Sequence, residues 1–343
     1  MRSELLYFTG PGSVETREET VGPPGPGEIA LRAVCSAVSA GTEKLVYRGM
    51  IEQGTILDTS IAGLGARFSY PLRYGYSLLG DVTDTGRGVS SDWLGRRVFC
   101  FAPHGRDAVA AIGDVVAVPD GYSDDRAVMF AACETALSLV MDGRPLAGED
   151  VVVFGQGTVG LAVTALLAEF PLGSLSTVDP LPYRRRRSIE LGAASSSAPE
   201  DLGASTEEGS AGADLVFELS GEPEALGAAL DTAGYAGRVI AGSWYGSRAD
   251  LDLGTSFHRG RKTLTSSQVS RISPHLSGRW NVARRRSAAW RCAASIRPER
   301  LITHRLPFDR AGEAYSILDG GEDYIQIVIE YRTQPIGGRR CTG

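Results

Sequence analysis

Three glycines and one aspartate carry the most specific chemistry in this sequence. Gly155, Gly157 and Gly160 stand in Val151-Val-Val-Phe-Gly155-Gln156-Gly157-Thr158-Val159-Gly160, a G-x-G-x-x-G run directly after an apolar strand and opening an apolar helix. That context on both sides is what a dinucleotide-binding turn requires. Gly155 permits the tight strand-to-helix turn, Gly157 bares the backbone to a pyrophosphate, and Gly160 lets the helix lie close on the sheet. The N–H groups at the helix start, with the helix dipole, bind phosphate, so Gln156, Thr158 and Val159 join the glycines as candidate contacts. Asp179 ends the next strand, where an acid accepts hydrogen bonds from the adenosine ribose. Its charge repels a 2′-phosphate and favours NAD(H). Arg184, first of the run Arg184–Arg187, could accept such a phosphate and keeps NADP(H) open. Further along, Ser220, Ser243, Ser267 and Gln268 follow later strands near the carboxyl edge, where ligands bind in open α/β sheets. Trp244 or Tyr245 could shape a substrate pocket there, and His258 and Arg259 lie near the expected nicotinamide end.

The elements that must position these residues change character along the chain. Up to about residue 120, short strand-like runs recur at Ile29–Val34, Leu79–Thr83, Arg97–Phe101 and Val115–Val118, between turns such as Pro23-Pro-Gly-Pro-Gly27 and Pro119-Asp-Gly121. A compact barrel-like domain is expected. Ser123-Asp-Asp-Arg126 is a helix start, with a Ser cap and acids in the first turn. Then strands and helices alternate. Strands are expected at Asp150–Phe154, Ser176–Asp179, Asp214–Leu219 and Arg238–Ala241. Helices are expected at Thr158–Phe170, from the arginine run to Leu191, and at Glu222–Thr232. That alternation predicts a parallel sheet with helical crossovers. Ser195–Gly212 reads as a surface connection, Tyr324–Tyr331 as a strand, and 332–343 as a frayed polar tail.

Composition narrows the function classes. The chain has 343 residues, 43% hydrophobic, enough for two domains with separate cores. A formal charge of −6 argues against nucleic acid as a partner. No apolar run approaches the ~20 residues that cross a bilayer, and Met1–Gly10 lacks a signal-peptide core, so a cytoplasmic, membrane-free protein is expected. The five cysteines (Cys35, Cys100, Cys133, Cys292 and Cys341) form no C-x-x-C pair, against a disulfide framework or a Cys-rich zinc lobe.

Over nearly its whole length the sequence resembles the medium-chain dehydrogenase/reductase superfamily. The segments that carry the likeness are Cys35-Ser-Ala-Val-Ser-Ala-Gly-Thr-Glu43, Tyr74-Gly-Tyr-Ser-Leu-Leu-Gly80, Leu94-Gly-Arg-Arg-Val98, Ala131-Ala-Cys-Glu-Thr-Ala136 and Leu264-Thr-Ser-Ser-Gln268. The resemblance implies an α/β fold class: a Rossmann doubly wound parallel sheet plus a GroES-like β-barrel catalytic domain. It implies domains at 1–140 and 280–343 (catalytic) around 141–279 (dinucleotide-binding), and a homodimer or homotetramer acting on a small molecule. The departures are informative. Where zinc members carry a Cys, a His and a third Cys or Asp, this chain has Ala40, Tyr76 and Ala131, with Cys133 two residues out of register. No metal is therefore expected. Ser39-Ala-Gly-Thr-Glu43 with Tyr74-Gly-Tyr-Ser77 is similar to a metal-free subgroup with bacteriochlorophyllide dehydrogenases as distant relatives.

Without a metal, side-chain donors must stabilise an oxyanion. The resemblance makes Tyr76 the first candidate, since it replaces a metal ligand, and Thr42 the hydroxyl that relays protons. Glu43 is expected to orient a neighbour, and Lys44 and Tyr47 share its segment. Glu134, amid apolar neighbours, is expected to be paired, structurally or in the site. His104, in Pro103-His-Gly105, is the imidazole best suited to acid–base work, although its loop setting points to the surface. The expected activity is NAD(P)-dependent hydride transfer between nicotinamide and an alcohol/ketone pair. The alternatives are an enoyl or quinone reductase and a non-catalytic NAD(P)H-binding protein.

Overall fold

Short strands separated by Gly- and Pro-bearing turns in the N-terminal third pair mainly antiparallel, and the apolar runs after residue 150 build parallel strands. The computed structural model describes residues 1–58, 60–61, 64–204, 212–320 and 323–331. The tail 332–343 and residues 205–211 of the Ser195–Gly212 connection lie outside the described residues.

In chain order the elements begin with the hairpin β1 (Arg2–Gly10) and β2 (Ser13–Thr20), turned at Pro11-Gly12 with Gly12 at φ +70°. There follow β3 (Glu28–Ala37), α1 (Thr42–Arg48), β4 (Leu78–Thr85), β5 (Arg97–Cys100), β6 (Asp107–Ala111), β7 (Val115–Ala117) and α2 (Asp124–Val128). Next come α3 (Phe130–Gly143), β8 (Asp150–Phe154), α4 (Thr158–Leu167), β9 (Ser174–Val178), α5 (Pro182–Glu190), β10 (Ser195–Ser197) and β11 (Ala213–Glu218). The chain continues through α6 (Pro223–Thr232), β12 (Ala233–Ala241), β13 (Thr263–Ser266), α7 (Val282–Ile296), β14 (Ile302–Pro307), α8 (Ala311–Gly320) and β15 (Gln326–Glu330).

These elements form two compact units. The first comprises Met1–Val38, Gln53–Val128 and the chain from Thr303 onward; the second comprises Ser39–Glu52 and Met129–Ile302. In the first unit, β3 is the organising strand. It pairs antiparallel with β4, β6 and β15, and β5 and β7 extend the sheet beyond β4. Arg97 on β5 donates to Asp81 of β4 at 2.7 Å and pairs with Asp124 of α2. The predicted cap at Ser123 is present: its hydroxyl accepts from Arg126 N at 3.3 Å.

The second unit is a six-stranded sheet of order β10-β9-β8-β11-β12-β13, parallel throughout. The order reverses between β8 and β11, and the crevice outside the carboxyl ends of those strands is where such sheets bind ligands. The central strands are buried on both faces, as their unbroken Val and Phe runs require. One face packs Phe154, Val178, Val216 and Val239 against Leu226, Ala229 and Leu230 of α6. On the other face α3, α4 and α7 pack together. Phe217 lies so close to α3 that a Cβ on Gly143 would meet its ring at 2.5 Å. Full burial of one such phenylalanine stabilises the fold by about 2–3 kcal/mol. No described helix is long and apolar enough to cross a membrane.

Candidate functional site

The loop from β8 to α4 shows a different steric reason for each glycine. Gly155 adopts φ +82°, in the left-handed region, and a Cβ there would meet Ser220 N at 2.5 Å. Gly160 is helical, and its Cβ would fall 1.8 Å from the Gly155 carbonyl oxygen. Gly157 is the opposite case: a Cβ there would meet nothing within 4 Å. Gly157 is the N-cap of α4, and no side chain caps the helix start at Thr158 and Val159. The helix N-terminus therefore offers backbone donors and a positive dipole end toward open space, as a phosphate requires. Gln156 is turned inward. Its Nε2 donates to the carbonyls of Val153 and Gly155, its Oε1 accepts from Thr164 Oγ1 at 2.9 Å, and it is fully buried. Gln156 thus braces the loop from below.

Asp179 follows β9 directly, beside that loop. Its carboxylate accepts from Gln156 N at 2.7 Å and from Leu181 N at 2.9 Å, which ties the ends of β8 and β9 together. A carboxylate has about four acceptor positions, so these two donors leave one on each oxygen, on a side chain that is only 2% exposed. The arginine run is divided among several tasks. Arg184 donates from Nε to Tyr183 Oη at 3.0 Å and lies over that ring. Arg185 donates to the carbonyls of Asp179 and Pro180. Arg187 pairs with Glu190 at 2.6 Å, and Arg186 is exposed.

At the carboxyl edge of β11 stands a residue that sequence reasoning missed. Glu218 is fully buried. Its Oε1 accepts from Ser220 N at 2.7 Å and from Ser220 Oγ, and its Oε2 accepts from Tyr245 Oη. Ser243 Oγ accepts from Gly221 N at 3.0 Å. Ser243 therefore stitches the end of β12 to the end of β11, while Ser220 closes the turn after β11 onto Glu218. The signal was available: an acid ending an apolar strand just before Ser-Gly parallels Asp179 ending β9. Ser267 and Gln268 are engaged within the protein, Ser267 half-buried and Gln268 exposed. Ser267 donates to Asp142 Oδ2 at 2.6 Å, and Gln268 Oε1 accepts from Ser270 N at 2.7 Å.

Thr42 and Glu43 open α1, within the second unit. Thr42 Oγ1 donates to Ser39 Oγ at 3.0 Å. Glu43 is fully buried, and its carboxylate accepts from Ser39 N at 2.8 Å. On α3, Glu134 meets Arg285 of α7 at 3.0 Å, both 3% exposed, with Arg286 at 3.8 Å. Burial pushes its carboxyl above the ordinary range, and the two guanidiniums oppose the shift. Glu134 thus serves as a buried ion pair joining two helices.

The first unit holds Tyr76 and His104. Tyr76 packs edge-on against Tyr74, ring centroids 6.3 Å apart. His104 corrects the surface expectation, because it is fully buried. Its Nδ1 is hydrogen-bonded to Ser36 Oγ at 2.7 Å, and Ser36 Oγ to Tyr331 Oη at 2.9 Å. The ring lies over Gly75, where a Cβ would approach it to 2.6 Å. A loop residue became a core residue because Ser36 on β3 and Tyr331 after β15 supply polar partners inside the barrel wall. Ala40 and Ala131 have no donor atom for a metal, and Tyr76 has only a phenol, so these residues do not fit a catalytic zinc. Among the described residues, no three His, Cys, Asp or Glu side chains gather as a ligand set.

No family model matches the chain. It is 20% identical to the starvation-sensing protein RspB of Escherichia coli (strain K12), over 94% of this chain and 98% of that protein. It is 24% identical to 2-desacetyl-2-hydroxyethyl bacteriochlorophyllide A dehydrogenase of Cereibacter sphaeroides, over 97% of this chain and 99% of that protein. Among solved structures, an alcohol dehydrogenase (rspB) from E. coli CFT073 complexed with NADH superposes with a TM-score of 0.81 at 18% identity, covering 96% of this chain and 99% of that one. With its sheet order and its separate antiparallel unit, this chain has the fold of the medium-chain alcohol dehydrogenases, a Rossmann domain joined to a GroES-like domain.

Proposed function

We propose that this chain is a zinc-independent, NAD(P)-dependent oxidoreductase that transfers hydride between nicotinamide and an alcohol/ketone pair of a small organic metabolite. One observation carries the reading: the open side of Gly157 at the uncapped start of α4, flanked by the Asp179 carboxylate. Gly155, Gly157, Thr158, Val159 and Gly160 would hold the pyrophosphate, and Asp179 the adenosine ribose. The bound dinucleotide supplies the hydride chemistry. This chain's residues orient it, exclude water and handle one proton. Tyr76 donates a hydrogen bond from its phenol to a developing oxyanion, stabilising the charge that a zinc would otherwise stabilise as a Lewis acid. Thr42 is assigned as the proton-relaying hydroxyl from the position it holds in the family resemblance. The dehydrogenase names of several matched relatives support the reaction class and leave the substrate open.

Asp179 leads us to expect NADH to bind more tightly than NADPH by ~1–2 kcal/mol, about one charge-assisted hydrogen bond. Isothermal titration with both cofactors measures this, and a tighter NADPH complex would assign the choice to Arg184 and Arg186 instead. Metal analysis of the purified protein should find less than about 0.1 zinc per chain. One tightly bound zinc, lost together with activity on chelation, would overturn the metal-free reading. Turnover on a panel of alcohols and ketones tests the reaction class. Cofactor binding with no turnover, or reduction of enones alone, would replace it.

A further inference from the structure

The Glu218 carboxylate is a fully buried charge close to the dinucleotide loop. Among the described residues it is held by three donors (Ser220 N, Ser220 Oγ and Tyr245 Oη) rather than by a cation. A buried carboxylate needs such donors, and each is strengthened by the charge. Tyr245 is the one among them that comes from another strand end. Burial and the neighbouring carboxylate both push its phenol far above the ordinary range, so it remains a donor.

Two steric facts say what this pair controls. The Leu219-Ser220 backbone lies against the dinucleotide turn, since a Cβ on Gly155 would meet Ser220 N at 2.5 Å and Leu219 C at 2.7 Å. At the other end, the Ser243–Gly246 segment lies against α1: a Cβ on Gly246 would meet Met50 Cε at 2.7 Å and Leu45 Cδ2 at 2.8 Å. Tyr245 therefore holds its loop between Glu218 and the helix that carries Thr42. The dinucleotide crosses the sheet where the strand order reverses. With the adenosine ribose at Asp179 beyond β9, the second nucleoside must lie on the β11–β12 side.

We propose that Tyr245 and Glu218 are a positioning pair: the buried carboxylate holds the phenol, fixes the end of β12 to the end of β11, and so shapes the seat for the nicotinamide half of the dinucleotide. The proposal rests on the dinucleotide reading above. It separates the two halves of the cofactor, because Asp179 and α4 serve the adenosine and the pyrophosphate without Tyr245.

Isothermal titration of the full chain with NADH and with ADP-ribose, which lacks the nicotinamide, tests it. Tyr245→Phe should weaken NADH about tenfold, the effect of one lost charge-assisted hydrogen bond, and leave ADP-ribose within about twofold of wild type. Glu218→Gln keeps the shape, replaces the charged acceptor by a neutral one, and should shift NADH in the same direction. It carries the comparison alone if Tyr245→Phe does not fold. Equal weakening of both ligands would make the pair merely structural and overturn the proposal. NADH affinity at the wild-type level in both variants would overturn it too. A wild-type protein that binds neither ligand would instead refute the dinucleotide reading itself.

Discussion

Gly157 and Gly160 lie three positions apart, and their substitution should separate binding from folding. A methyl on Gly160 would fall 1.8 Å from the Gly155 carbonyl oxygen, where contacts under 3.0 Å do not occur, so α4 must retreat by about 1 Å. Helix α4 is buried along almost its whole length and has nowhere to go. Overpacking of this kind costs about 1–3 kcal/mol, and contact with backbone rather than a flexible side chain puts Gly160→Ala at about 3. For a domain of this size that is about 6–12 °C in Tm. Gly157→Val meets no atom within 4 Å, and the backbone there has φ −73°, open to any L residue. The cost is only that of a poorer helix cap, about 1 kcal/mol. Its side chain occupies the space above the N–H groups, however. Loss of two charge-assisted hydrogen bonds to pyrophosphate corresponds to at least about 100-fold in affinity. Thermal unfolding without ligand, with NADH titration alongside, reads both quantities. Wild-type NADH affinity in Gly157→Val, or a Gly160→Ala protein more stable than Gly157→Val, would refute the reasoning.

Tyr76→Phe should slow single-turnover hydride transfer about 10²-fold, the lower end for removing one oxyanion donor, with cofactor affinity unchanged. Wild-type single-turnover rates would remove Tyr76 from the chemistry. Glu134→Ala should cost about 3–5 kcal/mol by leaving Arg285 buried without its carboxylate, as measured by urea unfolding. A loss under about 1 kcal/mol would mean that α3 and α7 do not depend on the pair.

The second unit was largely legible because its signals are local. The β8 run, the glycine spacing and Asp179 fix strand, turn and acid within one stretch of chain. What escaped was non-local. Ser195–Ser197 has no strand propensity, and it forms β10 only because β9 offers a parallel edge. β12 begins at Ala233 rather than at the expected Arg238, because Gly234 and Gly237 carry little strand propensity. β2 is polar on both faces and gives no period-2 signal. In the site, the glycines declared themselves by spacing. Glu218, Tyr245 and the interior setting of His104 became visible only when strands distant in sequence brought their partners together.

The pairing of β3 with β15 also orders events during synthesis. β3 is among the first strands made and β15 among the last, and Ser36 and Tyr331 hydrogen-bond across 295 residues. Every residue of the second unit is translated before β15 is. The parallel sheet can therefore collapse while the nascent first unit still lacks a strand beside Cys35–Ala37. During that interval the β3 edge is an unpaired row of backbone donors and acceptors, the kind of surface that recruits neighbouring chains. A ribosome paused before codon 326 would leave this edge open, and chaperone engagement would be concentrated there.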